Sequence, residues 1–392
     1  MKDNSILPKD ITPLKVCFPF DNKTIGGSTH ATKLLIQQLN QKNIIPSVVV
    51  HHKRSWVDGL DDLSGDEFTE MDIRLPFTRQ GIAVTIYDFM KASFFLANFL
   101  IKEKIDIVHT NQDSTGIAWS VACKLTRKAH VWHQHAKPAM SRTTRLLRNQ
   151  SSLLLSVSEY VGTELQNAGR APDLKFENLF AFEEAIDVSA QLKQKKRGDL
   201  GLENDAIFLM FVGSLTKQKR PQQALEVLAQ VKQKERRPVK LKIFGDNRHN
   251  LEKSLNEYAS QLGISKDVEF MGVQNNLADY YQVADFLLAP AINEGFGRVL
   301  VEAMYYGCIV IASDSGGHRD IVENGKSGFL VEPESTQDMA TTLLTCLSVP
   351  NQNSDIIAYA KKIATNYCSA REQLQQLVAR YDEISKKNTR FG

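Results

Sequence analysis

Short apolar, β-branched runs alternate with amphipathic stretches through the first half of the chain. The apolar runs predict strands at residues 15–20, 47–51, 105–109, 129–135 and 153–157. The helical spacing between them predicts helices at 82–104, 115–125 and 159–168. An earlier helix is predicted to start at Ser28 and Thr29, which act as its N-terminal caps. This alternation of strand and helix predicts a parallel sheet with helices on both faces.

The second half of the chain repeats the pattern. Strands are predicted at 207–212, 239–244, 268–271, 285–289, 309–313 and 328–331, and helices at 222–233, 252–262, 277–283 and 370–387. Because 392 residues are about twice the size of a common domain, we predict two Rossmann-like, doubly wound parallel-sheet domains of α/β class. Two such domains facing one another would form a central cleft at the carboxyl ends of their strands, where ligands bind in sheets of this kind.

A polar segment between the two halves sets the predicted domain boundaries. We assign 1–183 to an N-terminal domain, 184–206 to a linker, 207–369 to a C-terminal domain and 370–392 to a last helix. The linker contains a basic run, Gln191 to Arg197. This run has two interpretations, a solvated helix face or a site for anionic lipid headgroups.

Composition limits the classes of partner. The net charge of +3 is compatible with anionic small molecules or a membrane surface but is too small to favour nucleic acid. The 5 cysteines are scattered, and four of them lie in largely apolar runs, which indicates core residues of a reducing compartment. No apolar signal segment begins the chain, and the apolar stretch 89–101 is too short to span a bilayer. These features predict a cytoplasmic protein.

The segment with the clearest chemistry is residues 293–303. Glu294 and Glu302 are separated by seven residues, and Gly297 lies where a helix is predicted to begin. The amides of a helix N-terminus carry partial positive charge and suit a ligand rich in phosphate and hydroxyl oxygens. Glu302 in the first turns could accept hydrogen bonds from a ribose diol. The alternative is an amphipathic helix with two surface glutamates.

Other short motifs surround this segment in a particular order along residues 15–339. They are Gly26-Gly27, Ser156 to Glu159, Phe211 to Leu215 with Lys219, Phe244 to Asp246, Phe270 to Gly272, and the glycines from Gly316 to Gly328. With the two glutamates, this order resembles the retaining GT-B glycosyltransferases of family 4, also called group 1 glycosyl transferases. The glutamate segment is the specific part of the resemblance, and the N-terminal motifs are weaker.

The resemblance implies a role for each matching residue. Glu294 and the amides of Phe296 and Gly297 would contact the transferred sugar, and Glu302 would hold the ribose. Lys219 would neutralise the diphosphate, Gly26 and Gly27 would let the backbone approach it, and His135 would lie beside the donor sugar. A histidine at a strand end is otherwise often structural. His133 is expected on the opposite face of the strand and is the more doubtful of the two.

One position departs from the family pattern. Many members carry an arginine after the glycine at position 213, where this chain has Ser214. Arg220, next to Lys219, is the candidate replacement for that guanidinium, and without one the donor site would be weakened or inactive. The family's Gly-Gly-x-x-Glu also becomes a motif that ends in Asp320.

The resemblance predicts a sugar transfer from a nucleoside-diphosphate sugar to a glycan or lipid-linked acceptor, in surface polysaccharide or lipopolysaccharide assembly. No cofactor and no metal are expected, since the chain has no Asp-x-Asp metal motif. Arg142, Arg145 and Arg148 could meet an anionic membrane at the inner leaflet or form a solvated helix face. The alternatives are a GT-B nucleotide-sugar epimerase and a non-catalytic nucleotide-sugar-binding homologue.

Overall fold

The computed structural model describes residues 13–21, 26–40, 42–51, 68–71, 86–182, 190–203, 205–247, 249–274, 276–368 and 371–389. The chain divides into two compact units. The first unit comprises 1–156, 162–176 and 371–392, and the second comprises 157–161 and 177–370. The predicted linker residues 184–189 and most of the polar stretch 53–72 lie outside the described residues.

The first unit is built on a parallel sheet. Its strands are β1 (Leu14–Asp21), β2 (Ile44–His51), β3 (Phe68–Met71), β4 (Ile107–Thr110), β5 (Ala129–Gln134), β6 (Leu153–Ser156) and β7 (Leu174–Lys175). Its helices are α1 (Gly27–Leu39), α2 (Ile86–Lys102), α3 (Asp113–Thr126) and α4 (Arg142–Asn149). Helix α5 (Glu159–Asn167) starts in the second unit and continues into the first from residue 162. The sheet order β3-β2-β1-β4-β5-β6-β7 reverses direction between β1 and β4. In a doubly wound sheet, such a reversal opens a crevice at the carboxyl ends of the strands.

The second unit is a parallel sheet of six strands. They are β8 (Ile207–Val212), β9 (Val239–Phe244), β10 (Val268–Gly272), β11 (Phe286–Ala289), β12 (Ile309–Ser313) and β13 (Phe329–Val331). The helices are α6 (Ala190–Asp199), α7 (Pro221–Lys232), α8 (Glu252–Gln261), α9 (Ala278–Tyr281), α10 (Arg298–Tyr306), α11 (His318–Ile321), α12 (Thr336–Ser348) and α13 (Pro350–Cys368). The last helix, α14 (Arg371–Thr389), belongs to the first unit.

The sheet of the second unit is buried, which explains its continuous apolar runs. The order β10-β9-β8-β11-β12-β13 reverses direction between β8 and β11. Strands β8, β11 and β12 are almost entirely buried, as expected for parallel strands covered on both faces. Their side chains pack with α7 and α12 into one hydrophobic core. The predicted α/β class with two doubly wound parallel sheets is confirmed.

One prediction about local structure is wrong, and several elements were not predicted. Helix α1 begins at Gly27 with Gly26 at its N-cap position, so Ser28 and Thr29 lie inside the helix and do not cap it. A polar residue can cap a helix only if it precedes the first helical residue. The hydrophobic pattern of the sequence fixes the start of α1 only to within one or two residues. Helices α12 and α13 and strand β3 were not predicted.

The basic segments are less solvated than their composition suggests. Arg148 in α4 is fully buried, so it cannot meet a membrane with Arg142 and Arg145. Arg197 in α6 is also buried, although the basic run was expected to be a solvated face. Its guanidinium donates to the carbonyl of Val283 at 2.9 Å and pairs with Asp285 at 3.3 Å. A long side chain with a planar, multidentate head can satisfy its charge inside the protein in this way.

The four cysteines in apolar runs are buried and free, and Cys368 is exposed and free. Their interpretation as small core residues is confirmed. None of the described helices combines the length and the apolar character that a bilayer-crossing segment needs.

We expect Arg197→Ala to destabilise the second unit because it removes a buried cation and leaves Asp285 without that partner. The loss should be about 2 to 4 kcal/mol in the free energy of unfolding, measured by urea denaturation. Lys195→Ala, on an exposed position of the same helix, should change it by less than about 0.5 kcal/mol. Equal effects of the two substitutions would contradict the anchoring role of Arg197.

Candidate functional site

The loops that follow β8, β11 and β12 carry the candidate residues of the second unit. Lys219 follows β8, Glu294 follows β11, and Gly316 follows β12. These strands are neighbours on either side of the point where the sheet order reverses, and their carboxyl ends share one edge. This edge is where a doubly wound sheet offers a binding crevice.

Lys219 and Glu294 meet directly at this edge. The Lys219 Nζ donates to Glu294 Oε2 at 2.7 Å. Only 27% of the Lys219 side chain and 18% of the Glu294 side chain are exposed. Burial raises the pKa of Glu294, but the charge and hydrogen bond of Lys219, with a smaller effect of His318, lower it more, so its net pKa is below the ordinary value. Glu294 is therefore a carboxylate at neutral pH.

The loop that carries Glu294 lies against the loop after β12. The amide of Gly317 donates to the carbonyl of Glu294 at 2.8 Å, and the amide of Asn293 donates to Ser315 Oγ at 3.0 Å. Gly316 has a left-handed backbone with φ of 63°, and a Cβ on it would lie 2.5 Å from the carbonyl oxygen of Glu294. Only glycine allows this contact, so Gly316 fixes the position of Glu294.

His318, which directly follows these glycines, was not predicted as a site residue. It is almost fully buried, and burial lowers its pKa, so the ring is neutral. Its Nδ1 donates to the carbonyl of Ser313 at 3.0 Å, because a carbonyl can only accept. A Cβ on Gly297 would lie 3.0 Å from its Cδ2, so the ring packs beneath the start of α10. The sequence signal was present in the motif from Gly316 to Asp320, but a histidine in it was not recognised.

The predicted helix start near Gly297 is confirmed. Gly297 has φ of 104° and is the N-cap of α10, and no side chain caps this terminus. The first amides of α10 are therefore open to a ligand with negative charge. Phe296 precedes this terminus and is buried, with its ring against Phe180 and Tyr367. The group predicted to contact the ligand is the backbone amide of Phe296, not its ring.

Glu302 lies just over one turn into α10 and contacts two side chains. Arg298 Nη2 donates to its Oε1 at 3.4 Å, and Tyr281 Oη donates to its Oε2 at 3.3 Å. Arg298 is itself held by the carbonyl of Leu179 at 2.8 Å and by the face of the Phe180 ring, 4.4 Å away. Arg298 was not predicted, although its position four residues before Glu302 on a helix is typical of an ion pair.

Ser214, which stands where many family members have an arginine, and Arg220, the candidate replacement, both have other contacts. Ser214 Oγ donates to Asp246 Oδ2 at 2.9 Å. Arg220 is the N-cap residue of α7, where its Nε donates to Gln223 Oε1 at 2.8 Å and its Nη1 pairs with Glu334 at 3.5 Å. A role of Arg220 at a diphosphate would require its release from both partners.

Asp320 replaces the glutamate of the family pattern and still makes a backbone contact. The amide of Tyr160, in the short segment 157–161 of the second unit, donates to its Oδ2 at 3.2 Å. In the same segment the buried Ser158 donates to the carbonyl of Gly295 at 2.6 Å, next to Glu294. The shorter carboxylate thus supports the loop that carries the Glu294 pair.

In the first unit, His135 contacts His133. The prediction that His133 points to the opposite face is wrong, because residues two apart along a strand share a face. His133 lies in β5, which ends at Gln134, and His135 directly follows the strand. The two rings are 4.0 Å apart, and His135 Nε2 lies 3.1 Å from His133 Nδ1. Burial lowers the pKa of His133 to about 3. Neutral His133 donates from Nε2 to the carbonyl of Phe176 at 2.9 Å, so its unprotonated Nδ1 accepts a hydrogen bond from His135 Nε2.

Gly26 and Gly27 stand at the N-terminus of α1 in the first unit. Gly26 has an extended backbone, and among the described residues other than its chain neighbours no atom lies within 4 Å of the place where a Cβ would be. The described residues therefore impose no steric need for glycine at position 26. None of their side chains caps this helix N-terminus, whose amides suit an anionic ligand.

Comparison with known proteins supports a family domain in part of the chain. Residues 193–363, less than half of the chain, match the family model described as glycosyl transferases group 1. A D-inositol 3-phosphate glycosyltransferase of Rhodococcus erythropolis is 33% identical over 181 residues, which are 45% of this chain and 41% of the relative. An uncharacterized glycosyltransferase of Methanocaldococcus jannaschii is 25% identical over 279 residues, 66% of this chain and 70% of the relative. The chain thus spans less than half the length of the D-inositol 3-phosphate glycosyltransferase that it matches.

Solved structures share the fold over nearly the whole chain. HepE of Anabaena, solved with UDP and glucose, has a TM-score of 0.78 and 21% identity and covers 94% of this chain and 100% of its own. A glycosyltransferase of Rickettsia africae has a TM-score of 0.80 at 18% identity, covering 95% and 99%. At these identities the likeness concerns the fold, and it confirms the predicted GT-B fold class.

The close contact at Gly316 generates a prediction with a matched control. Gly316→Ala and Gly325→Ala both place a methyl group on a left-handed backbone, but only at Gly316 does that group meet other atoms. We expect Gly325→Ala to lower the free energy of unfolding by about 1 to 2 kcal/mol. Gly316→Ala should lower it by about 3 kcal/mol or more. Equal losses in urea denaturation would contradict the contact with the Glu294 loop.

Proposed function

We propose that the protein is a retaining glycosyltransferase that needs no metal ion. It transfers a sugar from a nucleoside-diphosphate sugar to a hydroxyl of a glycan or lipid-linked acceptor. The observation that carries the proposal is the contact of 2.7 Å between Lys219 and Glu294 at the strand edge where such sheets bind ligands. The family domain over 193–363 contains both residues and supports the proposal.

The cation of this pair suits the diphosphate. Lys219 is a compact charge on a flexible stem, and it can exchange the carboxylate of Glu294 for phosphate oxygens without a change of backbone. The open amides of α10 add partial positive charge from a second direction. Together they stabilise the negative charge that builds on the diphosphate as the bond to the sugar breaks.

The carboxylates then have separate roles. Once Lys219 binds phosphate, Glu294 is free to accept hydrogen bonds from hydroxyls of the donor sugar. Among the described residues, Arg298 donates to one oxygen of Glu302 and Tyr281 to the other, and a carboxylate oxygen can accept two hydrogen bonds. Each therefore keeps one acceptor site for a hydroxyl of the ribose diol, while Arg298 and Tyr281 hold the carboxylate in place.

The chemistry that fits these residues is substitution on one face of the sugar. The bond between C1 and the diphosphate oxygen breaks, and the acceptor hydroxyl oxygen bonds to C1 from the same side. The departing phosphate takes the hydroxyl proton, so no separate base is required. We assign His135 to the donor sugar, oriented by its hydrogen bond to His133, and Gly26 and Gly27 to the approach of the phosphates.

The remaining parts of the proposal concern the biological setting. We place the protein at the cytoplasmic face of the membrane, in the assembly of surface polysaccharide or lipopolysaccharide. Our proposal of metal independence rests on the lack of an Asp-x-Asp motif in the sequence. UDP-sugars are the first donors to test, because HepE, which shares this fold, was solved with UDP.

Donor binding tests the role of Glu302. In EDTA, one class among UDP-, GDP- and ADP-sugars should raise the melting temperature of the protein. Glu302→Ala should weaken its binding about tenfold or more, because hydrogen bonds to a charged group are lost. Glu257→Ala, at an exposed position of the same unit, should leave binding unchanged. A stabilisation that requires added metal, or that Glu302→Ala does not alter, would contradict the proposed site.

Lys219→Met tests the diphosphate role and its link to Glu294. Transfer should slow by about two to three orders of magnitude because the leaving group loses its cation. Without Lys219, burial is opposed only by the smaller effect of His318, and the pKa of Glu294 rises. The acid limb of the pH–rate profile should therefore move to higher pH in Lys219→Met and stay near its original position in Lys219→Arg. If the pH–rate profile of Lys219→Met is unchanged, Lys219 does not control the ionisation of Glu294, and the proposed link between the two residues is contradicted.

Product analysis separates transfer from the alternatives. We expect a glycosylated acceptor whose anomeric configuration, read by NMR, equals that of the donor. Conversion of the donor sugar without acceptor would indicate an epimerase instead, and binding without any product would indicate a non-catalytic homologue.

A further inference from the structure

Helix α2 of the first unit exposes large apolar side chains to solvent. Tyr87, Met90, Phe94, Phe95 and Ile101, which we call the α2 stripe, are exposed by 71%, 42%, 55%, 53% and 63%. Tyr87, Met90, Phe94 and Ile101 follow one another at intervals of three, four and seven residues, so they lie on one face of the helix. The surface of a monomeric protein rarely exposes so many large apolar groups side by side.

The α2 stripe is not needed to attach the helix to the fold. The opposite face of α2 is buried, with Leu96 and Leu100 fully inaccessible and packed in the core of the first unit. A surface helix normally has one apolar face and one polar face. Because α2 is apolar on both, its outer face is suited to a second apolar environment.

Lysines flank the α2 stripe, and the surrounding helices are basic. Lys91 and Lys102 lie on the exposed side of α2. Helix α3 packs against both α2 and α4, so the three helices form one continuous layer. The segment 86–149 that contains them has ten Lys and Arg against four Asp and Glu, a net charge of +6, whereas the whole chain carries +3. The positive excess of the protein is thus concentrated around this layer.

The rest of the layer also combines apolar and basic groups. Leu125 at the end of α3 is exposed by 53% and stands beside Lys124. Leu146 on α4 is exposed by 60%, and it lies next to Arg145. Apolar side chains within a basic surface match the two components of an anionic bilayer, acyl chains below and negative headgroups above.

We propose that the layer of α2, α3 and α4 docks the protein on an anionic lipid bilayer. The α2 stripe enters the boundary between headgroups and acyl chains, where aromatic residues such as Tyr87 are favoured. Lys91 and Lys102 extend their ammonium groups to the headgroup phosphates. This surface is centred on α2 and includes α4, where the sequence suggested a membrane contact, without the buried Arg148. Its lipid binding does not depend on the proposed transfer reaction.

The charge argues against a second copy of the chain on this surface. Two copies meeting through the α2 stripe would bring two strongly positive layers together, and like charges repel at such a contact. An acidic polymer would match the charge but would leave the apolar side chains in water. A bilayer satisfies both features.

Vesicle co-sedimentation of the full chain without nucleotide tests the proposal. The protein should bind vesicles of phosphatidylcholine with about 30 mol% phosphatidylglycerol, and bind phosphatidylcholine alone about tenfold less well. Phe94→Ser with Ile101→Ser should lower the partition coefficient about tenfold or more. Lys91→Gln with Lys102→Gln should weaken binding and reduce its salt dependence. The matched control, Val273→Ser with Lys234→Gln, changes an exposed apolar and an exposed basic residue of the second unit and should bind as the parent does.

Three outcomes would overturn the proposal. The first is that the parent protein does not bind anionic vesicles. The second is that the variant Phe94→Ser with Ile101→Ser binds them as well as the parent does, which would indicate that the surface recognises acidic groups alone. The third is a dimer in sedimentation velocity that the serine variant dissociates. Circular dichroism and the donor-induced thermal shift of each variant show whether it is folded, so failure of docking and failure of the proposed transfer reaction remain distinguishable.

Discussion

A single ion pair, between Lys219 and Glu294, connects the loops on which the candidate site depends. Its two atoms are 2.7 Å apart and largely withdrawn from solvent. Burial raises the pKa of Glu294, and the charge and hydrogen bond of Lys219 lower it more. Lys219 therefore keeps Glu294 ionised in the absence of ligand. A nucleoside diphosphate can take the place of the carboxylate on Lys219 with little reorganisation, which favours a site that is formed before the ligand arrives.

The rest of the second unit holds that pair in position. Strands β8 and β11 bring Lys219 and Glu294 to one edge, and the glycines after β12 allow the loop of Glu294 to lie directly on their backbone. Glu302, one helix turn farther on, is held by Arg298 and Tyr281 in turn. The two glutamates of the sequence motif thus have different surroundings, one beside an exchangeable cation and one beside fixed donors. This difference matches their assignment to the sugar and to the ribose.

The sequence predicted most of the fold because the elements are local. Strands β8, β9 and β12 have the predicted bounds, and the start of α10 follows from Gly297. Apart from the cap of α1 and the elements that were not predicted, the errors concern contacts made across the fold. A basic run does not show that Arg197 turns inward to Val283, and spacing on α4 does not show that Arg148 is buried. His133 is a different case, since strand periodicity itself places it beside His135 and was applied incorrectly. The supporting residues His318 and Arg298 were missed because their partners are revealed only by tertiary packing.

The most direct test of the central claim is a double-mutant cycle on nucleoside-diphosphate affinity. UDP, or whichever nucleoside diphosphate binds, is titrated by calorimetry into the parent protein, Lys219→Met, Glu294→Gln and the double variant. The diphosphate lacks the sugar that Glu294 would contact, so Glu294 acts on it only as the competitor for Lys219. The account predicts tighter binding in Glu294→Gln, weaker binding in Lys219→Met, and no effect of Glu294→Gln once Lys219 is gone. The same effect of Glu294→Gln in both backgrounds would show that the two residues act independently and would contradict the exchange.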